Sequence, residues 1–86
     1  MNYTVVTVIA MPSGREIDLE LPSDLPLHQL SPAIVASLGD DVPVEADLAL
    51  RLSISEYGHS WSDVNPELTL QQAGVIDGMY MRVERV

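Results

Sequence analysis

Two neighbouring apolar runs near the amino terminus constrain the fold of this chain more than any other feature. Tyr3–Ala10 is rich in β-branched residues, and Arg15–Leu21 alternates apolar with acidic side chains. The segment between them contains Pro12 and Gly14, two residues that favour tight turns. The pattern therefore predicts an antiparallel hairpin whose second strand buries one face and presents an acidic face to solvent.

The next apolar residues recur at the spacing of one helix face: Leu27, Leu30, Ile34, Val35 and Leu38. Gly39 follows, where helices commonly end. We expect one helix from Leu27 to Leu38 with an irregular start. Pro32 leaves an alternative, in which Ser31 caps the helix and Pro32 is its first residue.

Alternation returns in Leu48–Ser55, which predicts a third strand with its leucines and Ile54 directed inward. The outward positions would then form a polar surface: Ala49, Arg51 and Ser53, joined by Arg82 on the last strand. We expect this outer face to lack an apolar anchor for a partner. Gly58 marks a turn into a short strand at His59–Ser62, where Trp61 is predicted to face the core.

The carboxy-terminal segment combines a helical turn with a final strand. Thr69 and Gln72 have the spacing of a capping box, and Gly74 closes the turn. We predict that Leu70 and Val75 on either side of it are core residues. Asp77-Gly78 is a second turn, after which a last strand directs its inner face to the core through Met79, Met81 and Val83.

Together these elements predict a two-layer α+β domain with a mixed sheet of four to five strands and one helix packed across it. The first and last strands can lie side by side in parallel. The chain has 86 residues, for which we expect a single domain. It contains no cysteine and no apolar stretch of the length of a membrane span, so disulfides, thiolate chemistry and membrane insertion are not expected.

Charge limits the choice of partner. The chain carries 13 acidic residues against 4 arginines, with no lysine, for a net charge of −9. Such a field repels nucleic acid and anionic lipid and favours a protein partner with a basic surface. The alternative is that the acidity only keeps a small domain in solution.

The candidate partner-binding residues are the acids of the second strand and of the loop after the helix: Glu16, Asp18, Glu20, Asp40, Asp41, Glu45 and Asp47. The loop acids could instead be ligands for a hard cation such as Ca²⁺. They lack the spacing of a known calcium loop, and we expect a solvated loop.

No catalytic or cofactor-binding set is predicted. We interpret His28, near Asp24, as a polar side chain in contact with solvent, and His59, beside Trp61, as a solvated strand residue. Ser60 and Ser62 near Asp63 lack a recognisable base and oxyanion hole. The glycines occur singly and form no phosphate-binding loop.

The order of elements resembles the ubiquitin-like β-grasp. Three segments carry a more specific similarity: Ile17–Pro22, Leu25–Leu27 and Thr69–Gly78. Through them the chain resembles the YukD family and the cytoplasmic amino-terminal domain of EccD, components of bacterial type VII secretion systems. The resemblance implies a cytoplasmic, non-enzymatic interaction module whose partner is a secretion membrane component or its ATPase.

Two alternatives remain beside this resemblance. The chain could be an enzyme-associated β-grasp protein similar to the sulfur carriers, or the cytoplasmic domain of a larger membrane protein. Ubiquitin and the sulfur carriers act through a tail that ends in Gly-Gly, whereas this sequence ends in Met81–Val86. We therefore expect no conjugation.

Overall fold

The computed structural model describes residues 2–11, 13–38 and 50–85, apart from the side chains of Leu50 and Arg85. In chain order the elements are β1 (Tyr3–Ala10), β2 (Arg15–Pro22), α1 (Leu27–Leu38), β3 (Leu50–Ser55), β4 (Ser62–Asp63) and β5 (Tyr80–Arg85).

The five strands form one mixed sheet in the order β2-β1-β5-β3-β4. β1 pairs with β2 in antiparallel and with β5 in parallel, and β3 is antiparallel to both β5 and β4. The predicted hairpin and the parallel pairing of the first and last strands are therefore confirmed. The long β2 and the short β4 are the two edges of the sheet.

The core lies between α1 and one face of the sheet. All five apolar residues of the predicted helix stripe are buried. They belong to one cluster with the inward residues of β1, β3 and β5, which include Val6, Val8, Leu52, Met81 and Val83. We call the face away from α1 the outer face. The predicted core residue Leu50 falls among the side chains that are not described.

α1 begins at Leu27, so the alternative start at Ser31 is wrong. The first helical amides are satisfied by the chain around residue 67: Leu27 donates to the Leu68 carbonyl at 2.9 Å and His28 to the Pro66 carbonyl at 3.0 Å. Pro32 lies inside the helix, where it removes one backbone hydrogen bond. Tertiary contacts thus fix the helix start, which local sequence preference left open.

The turn from Thr69 to Val75 has the predicted caps at both ends. The Thr69 amide donates to Oε1 of Gln72 and the Gln72 amide to Oγ1 of Thr69, each at 3.0 Å. At the other end, Gly74 has φ +78° and its amide donates to the Gln71 carbonyl, while the Val75 amide donates to the Leu70 carbonyl at 2.9 Å. This is a Schellman motif, and the buried Leu70 and Val75 provide its apolar contact.

The short strand differs from its prediction. β4 is Ser62–Asp63 and not His59–Ser62, since Ser62 pairs with Ile54 and Asp63 with Ser53. Trp61 is half-buried and lies outside the core cluster, so its predicted inward position is wrong. Its ring lies under the guanidinium of Arg82, which projects from the outer face because its neighbours Met81 and Val83 are buried.

Candidate interaction surface

Three predicted partner-binding acids lie in one row along β2. Glu16, Asp18 and Glu20 are all exposed on the outer face, while Ile17 and Leu19 between them pack against the core. We call the three acids the acidic strip. The alternation of the sequence therefore placed these side chains correctly, and their role in binding stays a prediction.

The carboxylates of the acidic strip differ in their partners. Thr7 on β1 donates its hydroxyl hydrogen to Oδ1 of Asp18 at 2.7 Å. No hydrogen bond or ion pair to the side chains of Glu16 or Glu20 occurs within residues 2–11, 13–38 and 50–85. Two of the three charges thus face solvent without a neighbour in the described structure to offset them.

Apolar side chains of β1 run beside the acidic strip. Tyr3 is 50% exposed and Val5 is 42% exposed on the outer face, and Val5 lies directly opposite Glu20. We call these two residues the apolar pair. The expectation that the outer face lacks an apolar anchor was therefore wrong on β1. Because Tyr3–Ala10 has apolar residues on both faces, its periodicity did not show which of them would remain exposed to solvent.

The side chains of β3 and β5 on the outer face are less exposed to solvent than predicted. Ser53, expected to face solvent, is only 1% exposed, and its hydroxyl donates to Oδ1 of Asp63 at 3.1 Å. Arg82 is engaged by the ring of Trp61 and by Glu84, with its Nε 3.3 Å from Oε1 of that carboxylate. Arg51 remains exposed as predicted. Ser53 lies between Asp63 of β4 and Arg82 of β5, and the sequence did not reveal the register of β4.

The other four predicted partner-binding acids lie outside the described residues: Asp40, Asp41, Glu45 and Asp47. Their contribution to binding stays a prediction.

No hydrogen bond joins two of the residues weighed as catalytic candidates in the described part of the chain. His59 is exposed in the β3–β4 loop, where it stacks on Tyr57 with ring centroids 6.2 Å apart, so its predicted place on a strand is wrong. Among the described residues, Asp63 accepts a hydrogen bond from Ser53 and not from Ser60 or Ser62. No group of three or more metal-ligating side chains occurs in the part of the chain that the structure describes.

A shallow cavity of about 280 Å³ lies beside the β3–β4 loop. Its walls include Ile54, Tyr57, His59 and Met79. The same walls include Glu56, Ser60 and Ser62, but no hydrogen bond joins the imidazole of His59 to a serine hydroxyl among the described residues.

A sheet with this strand order, crossed by one helix, is the β-grasp of ubiquitin-like proteins. The chain superposes on the EccD5 ubiquitin-like domain from Mycobacterium xenopi with a TM-score of 0.73 at 16% identity, covering 100% of this chain and 97% of that one. For the ubiquitin-like domain of the Mycobacterium tuberculosis type VII secretion protein ECCD1, the TM-score is 0.63 at 22% identity, with 98% and 99% covered.

The sequence matches the family described as WXG100 protein secretion system (Wss), protein YukD, over residues 3–83. The chain therefore belongs to the YukD family. It is also similar to protomer 1 of the ESX-3 core complex, with 28% identity and a TM-score of 0.69 over 99% of this chain, which spans only 16% of that protomer. No curated protein matches the sequence. Among the described residues, no helix is both long and apolar enough to span a membrane.

Proposed function

We propose that this domain is a non-enzymatic interaction module of a type VII secretion system, which binds a basic surface of another protein. One observation carries the proposal: the acidic strip of β2 lies in a row beside the exposed apolar pair of β1. Apolar contact supplies free energy of binding, and complementary charge raises the association rate and selects the partner.

Charge repulsion within the strip supports a basic partner. Side chains two residues apart on one strand face are separated by about 7 Å, which is less than the Debye length of about 8 Å at physiological salt. The carboxylates therefore repel one another in the free protein, and an opposing row of arginines or lysines relieves that repulsion. The excess of acids over the 4 arginines of the chain extends the same attraction over longer distances.

The family membership supports the cellular setting. YukD belongs by description to the WXG100 secretion system, and the ESX-3 protomer that resembles the chain is part of a core complex. We propose that the chain forms a single domain on the cytoplasmic side of such a system. Its partner there would be a membrane component or the secretion ATPase.

Binding kinetics with purified cytoplasmic parts of the secretion system would test this proposal. The test variant is Glu16→Gln with Asp18→Asn and Glu20→Gln, in which the amide oxygen introduced at position 18 would still accept the hydrogen bond from Thr7. We expect association to slow severalfold and its dependence on NaCl to decrease, with little change in the dissociation rate.

A charge-matched control separates the strip from overall acidity. Asp24→Asn with Glu56→Gln and Glu67→Gln removes the same charge from exposed positions elsewhere. Equal slowing in both variants would assign the effect to net charge alone. Salt-insensitive binding that is lost on changing Tyr57 or Tyr80 would instead place the interface at these tyrosines and contradict the proposal.

A further inference from the structure

We propose that β2 is an acceptor edge to which a partner protein adds a β-strand in which Lys or Arg alternates with Val, Ile or Leu. The inference rests on the proposed function and specifies how the basic partner is bound. It is carried by the direction of the backbone amides of β2, which the sheet register determines.

The residues of β1 divide their hydrogen bonds between two neighbours. Odd-numbered residues bond toward β5: the Thr7 amide donates to the Met79 carbonyl at 3.0 Å, and the Val5 carbonyl accepts from Gly78 at 3.0 Å. Even-numbered residues must then bond toward β2. The hydrogen bond from the Ser23 amide to the Asn2 carbonyl, at 2.9 Å, continues this series at the end of the hairpin.

The pairing of β1 with β2 decides which residues of β2 use their backbone groups to bond to β1. Thr4 pairs with Leu21, Val6 with Leu19 and Val8 with Ile17, so the odd-numbered residues of β2 are the ones bonded to β1. In an antiparallel ladder, the residues between such pairs direct both N–H and C=O away from the partner strand. Glu16, Asp18 and Glu20 therefore present their backbone groups to the open side of β2.

The open side has no partner in the part of the chain that the structure describes. β2 is the first strand of the sheet order, and no described hydrogen bond uses the backbone of Glu16, Asp18 or Glu20. The next outward position is Pro22, which has no N–H, so the row of outward amides ends at Glu20. An incoming strand could pair with three successive outward residues.

The side chains of β2 define the strand that fits. On the outer face, a residue opposite each acid of the strip would form a favourable cross-strand pair if it were Lys or Arg. On the inner face, the half-buried Ile17 and Leu19 lie at the border of the core, where apolar residues of an added strand would complete their burial. The partner strand therefore alternates basic with apolar residues.

The same side chains disfavour a second copy of this chain as the occupant. Pairing two β2 edges would place acid beside acid on the outer face, and like charges directly opposite are destabilising. Charges on an edge strand also protect it from aggregation. The charges of β2 thus disfavour pairing with a second copy of β2 and favour pairing with a basic strand.

Amide hydrogen exchange followed by NMR tests the mode of binding directly. The probe is a short peptide in which Arg alternates with Val, and its control has the same composition with the arginines and valines in separate blocks. We expect the alternating peptide to protect the amides of Glu16, Asp18 and Glu20, which exchange fast in the free protein. The amides of Ile17 and Leu19 should be protected with or without peptide.

The peptides also separate this inference from the proposed function. Salt-dependent binding of both peptides without protection of the three amides would overturn strand addition and leave the basic partner standing. Absence of salt-dependent binding by either peptide would contradict both proposals.

A pair of double variants provides a second test. Glu16→Pro with Glu20→Pro removes two outward N–H groups, whereas Glu16→Gln with Glu20→Gln removes the same charges and keeps those groups. Proline is tolerated on sheet edges where the N–H is unused. We expect the Pro pair to bind the alternating peptide about tenfold or more weakly than the Gln pair. Equal affinity would contradict the inference, and if the Pro pair fails to fold, the amide protection of the unchanged protein decides.

Discussion

The guanidinium carbon of Arg82 lies 4.6 Å from the centroid of the Trp61 ring on the outer face of the sheet. Nε of the same guanidinium is 3.3 Å from Oε1 of Glu84 but does not have hydrogen-bond geometry toward it. Two predictions differ from the structure at this stack. Trp61 was predicted to face the core and contacts Arg82 instead, and Arg82 was predicted to be part of a polar surface but is partly covered by the Trp61 ring.

A double-mutant cycle measures this stack. Replacing Trp61 by Leu and Arg82 by Met, singly and together, should give a coupling of about 0.5–1 kcal/mol in the free energy of unfolding. Urea unfolding followed by circular dichroism is the measurement. Strictly additive single effects would show that the two side chains are neighbours without an energetic interaction.

The capping box at Thr69 should contribute measurably to stability. Thr69→Ala leaves the Gln72 amide without its side-chain acceptor and is expected to lower the free energy of unfolding by about 1 kcal/mol. Thr69→Ser keeps the hydroxyl and should stay close to the wild type, as should Gln71→Ala on the exposed side of the turn. If the Ala and Ser variants melt together, the reciprocal hydrogen bonds are not what holds this turn.

Gly74 tests the left-handed position of the Schellman motif. A Cβ at Gly74 would meet no described atom within 4 Å, so the cost of Gly74→Ala is conformational and not steric. At φ +78° we expect a loss of about 1–2 kcal/mol in the free energy of unfolding, with a smaller loss for Gly74→Asn, which tolerates this region better. Thermal unfolding compares the variants, and a stability equal to wild type for Gly74→Ala would contradict the motif.

The register of β3 is tested by two neighbouring residues. Leu52 is 4% exposed in the core and Arg51 is exposed on the opposite face. An unpaired buried carboxylate costs several kcal/mol, a large part of the roughly 5–15 kcal/mol that stabilises a typical domain, so Leu52→Asp should unfold the protein. Arg51→Ser should leave the urea midpoint nearly unchanged. Similar loss in both variants would mean that the strand is shifted by one residue, because such a shift exchanges the two faces.

Local signals predicted most of the architecture. The hairpin, the apolar stripe of the helix and the capped turn from Thr69 to Gly74 each depend on residues close together in sequence, so these features could be recognised without the fold. The alternation of β2 also placed Glu16, Asp18 and Glu20 on one face. The acidic strip could therefore be predicted from the sequence, whereas the apolar pair could not.

Misassigned residues depended on distant neighbours. His59–Ser62 has no pattern long enough to fix its pairing, and only the register with Ile54 and Ser53 moved the strand to Ser62–Asp63. Trp61 lies before this strand and stacks on Arg82, and Asp63 within it accepts a hydrogen bond from the buried Ser53. The exposure of Tyr3 and Val5 could not be predicted, because they belong to a run that is apolar on both faces.

The sequence by itself determined the hairpin, the apolar stripe of the helix and the caps of the Thr69–Gly74 turn, because periodicity and capping express interactions within a few residues. It also determined that β2 has an acidic face. Only the tertiary structure decided which side chains stay exposed to solvent and which backbone groups point away from the neighbouring strand. The amides of Glu16, Asp18 and Glu20 point outward because β1 bonds β5 through its odd-numbered residues, a consequence of pairing between segments about 70 residues apart.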